Sequence, residues 1–356
     1  MPKTSACIRI SKKHGQKILS LASRLELIDK SLEIEREQNN LCIPIVRQPQ
    51  ENELGMLKKE ALEIQLSTAV FKEKQLPKES LRQVLETKLP SNLITLLPQA
   101  LDIIGDIAVI DIPEDLKSSE NLIGEAILQT HRNIKTVLAK AGAIYGIYRV
   151  REYDFVAGEQ KTQTIHREFG CQYCVDLAKA YFSPRLSHEH ERVSLLVQKC
   201  ETVVDLFAGV GPFSILIAKK NPTVKVYAVD LNPGAVELLK VNIRVNRVGN
   251  RVLPILGDAS RIASLKLEGI ADRVIMNLPE TAIEFVDAAC QAIKPCGGII
   301  HFYGFVRSPD SIENLKLRFV QAVESTGRKV EAFLYAKSVR ETAPFESQIV
   351  LDVKIV

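Results

Sequence analysis

Two glycines and three polar residues, each closing a short apolar run, are where this chain of 356 residues could do chemistry. The stretch Val203 to Lys219 reads Val-Val-Asp-Leu-Phe-Ala-Gly-Val-Gly-Pro-Phe-Ser-Ile-Leu-Ile-Ala-Lys. It is a branched apolar run, a turn at Gly209 and Gly211, and then the 3.6-residue spacing of a helix. Glycine lets the backbone approach a ligand where a Cβ would block it, and a helix opening near Pro212 or Phe213 aims its free N–H groups at the same place. The turn alone suits NAD, FAD or S-adenosylmethionine. Ser214 stands where a dinucleotide fingerprint has its third glycine, and no Lys-Ser/Thr follows for a triphosphate.

The next two apolar runs narrow the choice. One ends at Asp230, nineteen residues past Gly211, where an acid can accept both hydroxyls of a ribose. The following one ends in Gly257-Asp258, a side chain available to an adenine amino group. The competing reading of both acids is helix capping, before Asn232-Pro233 and before Ala259-Ser260. A fourth run ends in Asn277-Leu278-Pro279-Glu280. Methyltransferases of exocyclic amino groups carry Asn/Asp-Pro-Pro-aromatic there, so Leu278 and Glu280 argue against adenine-N6 chemistry. An amide and a rigid proline remain, suited to holding a flipped base edge, with a plain Asx turn as the alternative.

The elements that must position these residues alternate regularly. After the helix Glu189–Cys200 come strands at 203–207, 224–229, 252–256, 273–276 and 298–303, with helices at 235–246, 283–293 and 312–326. Two strands, 329–336 and 348–355, follow with no helix between them. Repeated βα units predict a mostly parallel sheet whose ligand lies at the carboxyl ends of its strands, and a terminal hairpin fits the methyltransferase version of that sheet. Upstream, a strand at 6–10, a helix at 15–25 and a strand at 41–46 form a small module. A mostly helical stretch follows from Glu51 to Leu97, with a break at Pro77. Then come one alternating strand closed by Pro113, a helix at 122–141, and strands at 144–150, 154–157, 162–168 and 173–177.

Charge and composition limit the partners. The net charge is +4, and the first 25 residues carry six Lys or Arg and no acid; from 131 to 199 there are eleven bases against seven acids. Either distribution is a solvated face or a phosphate contact. No apolar run approaches the ~20 residues of a membrane span, Met1 to Ser20 lacks a signal-peptide core, and seven scattered cysteines make no disulfide framework. The expectation is a cytoplasmic protein without a membrane partner. Cys171-Gln-Tyr-Cys174 reads as core thiols rather than zinc ligands, and His188 and His190 as surface residues.

In combination, Tyr181-Phe182-Ser183-Pro184-Arg185-Leu186 with Glu189 and Arg192, Asp205 to Phe213, and Asn277-Leu278-Pro279 resemble the archaeal and eukaryotic tRNA (guanine(37)-N1)-methyltransferases. The resemblance covers nearly the whole chain. It implies an α/β fold: a Rossmann-like class I methyltransferase domain at 171–356, preceded by a small basic α/β domain at 1–50 and an α+β RNA-binding domain at 98–170, with 51–97 as a helical linker. It implies S-adenosylmethionine as cofactor, no metal, a monomer, and tRNA as partner, held at the elbow by the first domain and at the anticodon arm by the others.

The resemblance also implies roles. Guanine N1 must lose its proton to attack a methyl group, and Glu189 matches the family's base. Arg149 matches the arginine that stabilises charge on O6; Arg149 and Arg151 are expected to alternate on a strand, with at most one facing the pocket. Asn277 would hold the base edge. The expected cofactor set is Tyr181, Arg185, Asp205, Phe207, Gly209, Gly211, Asp230, Asn232, Asp258, Ala259, Asn277 and Pro279. A rival in the same architecture moves the aminocarboxypropyl group of the same cofactor in the wybutosine pathway. A further rival is a non-catalytic RNA-binding protein.

Overall fold

The structure is a computed structural model that describes residues 2–37, 39–61, 63–73, 80–98, 100–142 and 146–356, so the expected break at Pro77 and the start of the expected strand at Ile144 lie outside the described residues. The chain divides into two compact units, Met1–Ser80 and Leu81–Val356. No helix among the described residues is long and apolar enough to cross a membrane.

In the first unit, β1 (Pro2–Ser11) is followed by α1 (Gly15–Arg24), β2 (Glu35–Arg36), β3 (Asn40–Pro44), α2 (Glu51–Glu60) and β4 (Gln65–Lys72). The sheet order is β2-β3-β1-β4, all antiparallel. Ile8, Ile10, Ile18, Leu27, Ile43 and Leu57 form its core. The helical expectation for 51–97 fails over β4, which pairs residue for residue with β1 from Pro2↔Lys72 to Arg9↔Gln65. Only Phe71 of that strand is fully buried, so its sequence carries little strand periodicity and the pairing decides.

The second unit opens with α3 (Leu81–Glu86), α4 (Ser91–Ile94), β5 (Asp102–Ile104), β6 (Ile107–Ile110), α5 (Glu120–Thr130), β7 (Thr136–Lys140) and β8 (Tyr153–Gly158), the strands ordered β5-β6-β7-β8. The single strand expected before Pro113 is therefore a hairpin. Gly105 turns it at φ +59, and a Cβ there would lie 2.1 Å from the Thr164 hydroxyl. The expected helix at 122–141 stops at Thr130; Thr136–Ala139 is fully buried strand, a continuous apolar run whose period cannot be told from that of a buried helix. A separate hairpin, β9 (Gln163–Glu168) and β10 (Cys171–Asp176), leads into the remaining fold.

From there run α6 (Ser187–Leu196), β11 (Thr202–Asp205), α7 (Pro212–Lys220), β12 (Lys225–Asp230), α8 (Pro233–Val245), β13 (Val252–Leu256), α9 (Ala259–Lys266), β14 (Arg273–Met276), α10 (Val286–Ala292), β15 (Gly298–Arg307), α11 (Ile312–Glu324), β16 (Val330–Ala343) and β17 (Glu346–Ile355). The seven-stranded order is β13-β12-β11-β14-β15-β17-β16, parallel through β15 and antiparallel in the final hairpin. Helix α9 was absent from the sequence reading. One face buries Phe213, Leu216 and Leu239, the other Ala289, Phe302 and Phe319. Chain order reverses direction between β11 and β14, and open α/β sheets bind ligands at such a switch point.

Candidate active site

At the carboxyl ends of β11, β12 and β14 the second unit encloses a cavity of about 860 Å³. One half is built by the glycine turn. Gly209 and Gly211 both take positive φ, +55 and +93. They are not equivalent: a Cβ on Gly209 would meet nothing within 4 Å, whereas one on Gly211 would lie 2.4 Å from Leu239 Cδ1 and 2.9 Å from Ile215 Cδ1. Gly209 leaves its space to the cavity, and Gly211 lets α7 pack on α8.

Asp230 joins the turn to the second strand. Its Oδ2 accepts from the Gly209 N–H at 2.6 Å and its Oδ1 from the Asn232 N–H at 2.8 Å. Burial raises its pKa against those two hydrogen bonds. Each oxygen accepts one backbone donor and keeps lone-pair capacity for a hydroxyl, so the carboxylate fits the diol of a ribose. Asp258 lines the cavity and also caps α9, accepting from the Arg261 N–H at 3.0 Å, with Ala259 beside it; the capping alternative and the pocket position therefore coexist. Phe207 lines the floor, edge-on to Phe285 with ring centroids 5.1 Å apart.

Three residues expected in the site stand outside the lining. Asp205 is fully buried, accepts from the Ser214 hydroxyl at 2.7 Å, and is pushed up to about 7 by burial and by the charge of Asp230. It braces the turn from beneath because it ends β11, a strand paired on both sides. Gly211 caps α7. Glu189 lies behind the wall, its carboxylate accepting from Arg192 Nε and Nη2 and from the Tyr303 hydroxyl at 2.9 Å. Arg192 also donates to Asp352, which accepts from His301 Nδ1 at 2.6 Å. His301 Nε2 lies 2.8 Å from an Arg273 N–H that can only donate, so Nε2 accepts and the proton sits on Nδ1.

Two further expectations change on contact with the structure. Asn232 lines the cavity, but its side chain is committed to the fold: Oδ1 caps α8 at Gly234 and Ala235, while Nδ2 donates to the carbonyls of Lys179 (2.7 Å) and Tyr148 (3.4 Å). Arg185 lines the cavity and is paired with Asp102, its Nε and Nη2 donating at 2.5 and 2.9 Å. Tyr181 and Pro279 form walls.

The other half is built by the turn at residues 146–149, the end of β14 and the final hairpin. Residues 146–149 are turn rather than strand, with Arg149 at φ +54, so strand alternation does not apply and both Arg149 and Arg151 line the cavity. Arg149 donates to both Glu280 carboxylate oxygens, at 2.5 and 3.2 Å. Asn277 accepts from Gln348 at 3.4 Å, and Gln348 in turn accepts from Arg340 at 2.9 Å.

Glu280, Gln348 and Arg340 were missed by the sequence reading. Glu280 was visible as a departure from a motif, whereas the other two lie on a long-range hairpin with no local signal. His190, read as a surface residue, is 1% exposed, hydrogen-bonds Glu168 at 2.7 Å, stands edge-on to Phe213 and lines the cavity. Burial works to raise the Glu168 carboxyl, but hydrogen bonds from His166 and His190 prevail and hold it at about 2. His188 is exposed. Cys171 is buried in the core.

Residues 164–331 match the TRM5/TYW2 methyltransferase domain, residues 81–162 the TYW2 N-terminal domain, and residues 7–53 the tRNA methyltransferase 5 N-terminal domain. The tRNA (guanine(37)-N(1))-methyltransferase Trm5b of Pyrococcus abyssi is 40% identical over 98% of this chain and 98% of its own length. Among solved structures, the complex of aTrm5 and tRNALeu is similar with a TM-score of 0.68 and 34% identity, covering 98% of this chain and 99% of that one. Methanocaldococcus jannaschii Trm5 in complex with adenosine is similar with a TM-score of 0.64 and 33% identity, again over 98% and 99%. This chain belongs to the tRNA (guanine(37)-N1)-methyltransferase family of S-adenosylmethionine-dependent enzymes.

Proposed function

We propose that this protein methylates N1 of the guanosine 3′-adjacent to the anticodon in tRNA, with Glu189 as general base and Arg149 stabilising charge on O6. The observation that carries the reading is that one cavity is lined both by Gly209 and Asp230, which suit a nucleoside, and by an arginine and an amide, Arg149 and Asn277. S-adenosylmethionine supplies an electrophilic methyl group on its sulfonium. Asp230 would accept the ribose hydroxyls, the Gly209 backbone would lie against the donor, and Phe207 and Asp258 would border its adenine.

Asn277, oriented by Gln348, holds the target base. As N1 gives up its proton, negative charge grows on O6, and the Arg149 guanidinium meets it in a site partly screened from water. Glu189 reaches N1 by turning from Tyr303 and Arg192 past the wall at His190. The basic first unit would contact the tRNA elbow, and the 98–170 module the anticodon arm, in a 1:1 complex with one chain.

The test is incubation of unmodified tRNA with labelled S-adenosylmethionine, followed by nucleoside mass analysis. N1-methylguanosine at position 37 is expected. A mass gain of an aminocarboxypropyl group would favour the wybutosine-pathway rival, and label elsewhere would sink the reading. Glu189→Gln should lower the single-turnover rate about 10²- to 10⁴-fold while tRNA and cofactor affinities hold. Equal losses in binding would make Glu189 a structural residue.

A further inference from the structure

Gln348 is a polar residue where burial needs a reason. It is 1% exposed, on β17 opposite Phe305 of β15 and Arg340 of β16, and glutamine is mostly a surface residue. Its side chain bridges two others that line the same cavity. Arg340 Nε donates to Gln348 Oε1 at 2.9 Å, and Gln348 Nε2 donates to Asn277 Oδ1 at 3.4 Å. Arg340 is itself anchored, its Nη1 donating to the Ser183 hydroxyl at 3.1 Å.

The direction of this chain is forced by its first member. A guanidinium has donors only, so Gln348 must turn its oxygen to Arg340. Its nitrogen is then the end left for Asn277, and a nitrogen that only donates must be answered by Oδ1. Reversing either amide would oppose donor to donor or oxygen to oxygen. The two ends of an asparagine amide are nearly the same size, so shape alone would not choose between them. We propose that Arg340, acting through Gln348, determines which end of the Asn277 amide meets the target base. Both are positioning residues, and neither touches the base. The inference rests on the guanine-N1 reading above, in which Asn277 holds the base edge. That edge is a fixed order of donors and acceptors, and an amide turned end for end mispairs with it.

The test uses the full chain with Gln348→Glu and Gln348→Met, measuring the single-turnover rate on tRNA with guanosine at position 37, cofactor affinity by calorimetry, and thermal unfolding. Glutamate keeps an oxygen for Arg340, in a charge-assisted bond, and turns its other oxygen to Asn277, which must answer with Nδ2. The amide reverses, and the rate should fall about 10²-fold. Methionine fills the space but removes both hydrogen bonds and leaves the amide free to take either orientation, so its loss should be only about 2- to 10-fold. Cofactor affinity should stay within about 2-fold in both. The variant with the slower rate should thus be the one that unfolds at the higher temperature. A purely structural Gln348 gives the opposite order, with methionine worse because it strands Arg340 and Asn277. That order overturns the inference, as does cofactor affinity falling in step with rate. Gln348→Met at the wild-type rate overturns it even where the glutamate variant does not fold. A wild type that forms no N1-methylguanosine overturns the underlying reading first, and the positioning role with it.

Discussion

The two glycines of the turn should fail in opposite ways when each is replaced by alanine. At Gly211 the left-handed backbone costs a non-glycine residue about 1–2 kcal/mol. A new Cβ would also lie 2.4 Å from Leu239 and 2.9 Å from Ile215, both fully buried, and overpacking of that kind costs about 1–3 kcal/mol more. Gly211→Ala should therefore lose roughly 2–5 kcal/mol. At Gly209 only the backbone cost applies, about 1–2 kcal/mol, because its Cβ would enter open space. That space belongs to the cavity, so Gly209→Ala should weaken S-adenosylmethionine binding by at least about tenfold while hardly disturbing the fold. Urea unfolding read by far-UV circular dichroism gives the stability, as a midpoint shift at constant m. Calorimetry gives the affinity. If Gly211→Ala proved as stable as Gly209→Ala, or if Gly209→Ala bound the cofactor as the wild type does, the division of labour between the glycines would be wrong.

Two pH dependences follow from buried acids. Asp205 has its folded pKa raised to about 7 from an ordinary 3.8, so the native state holds a proton that the unfolded chain has released. Stability should fall as pH rises from about 4 to about 7, by up to roughly 4 kcal/mol, and Asp205→Asn should lack that slope; parallel curves for the two proteins would refute it. Asp352 shows the opposite sign. Burial alone would raise it, but His301 and Arg192 hold it at about 2, so its contribution is present above pH 3.8 and lost as pH falls toward 2. Its loss is roughly 2 kcal/mol, and Asp352→Asn should remove that step from an acid-unfolding curve; an unchanged step would assign it to other carboxyls.

The sheet was legible where its periods were clean. β13 and β14 fall on the expected residues, and Gly209, Asp230, Asp258 and Asn277 sit at the strand ends where spacing put them. Errors cluster where burial is uniform or pairing is distant. Thr136–Lys140 reads as helix because no polar face interrupts it, and Gln65–Lys72 becomes strand only through its partner β1. The site shows the same limit. A helix spacing places Glu189 and His190 side by side in sequence, but it cannot tell which one faces the cavity. The turn carrying Arg149 departs from strand geometry at a positive φ that a bulky side chain rarely adopts, so alternation gave the wrong answer there.

The final hairpin divides the cavity by where its walls come from along the chain. Apart from Tyr181 and Arg185, the expected cofactor contacts lie between Asp205 and Pro279, across neighbouring parallel strands. On the other side of the cavity, Asn277 leans on Gln348, 71 positions away, and Gln348 in turn on Arg340. Those two reach the site only because β17 pairs with β15 along its whole length, from Gly298↔Ile355 to Arg307↔Glu346. Contacts of such long separation are the slow ones to form. On the proposed reading, the half of the cavity that seats the methyl donor can thus form before the half that seats the base, and damage to the hairpin should spare cofactor binding while abolishing transfer.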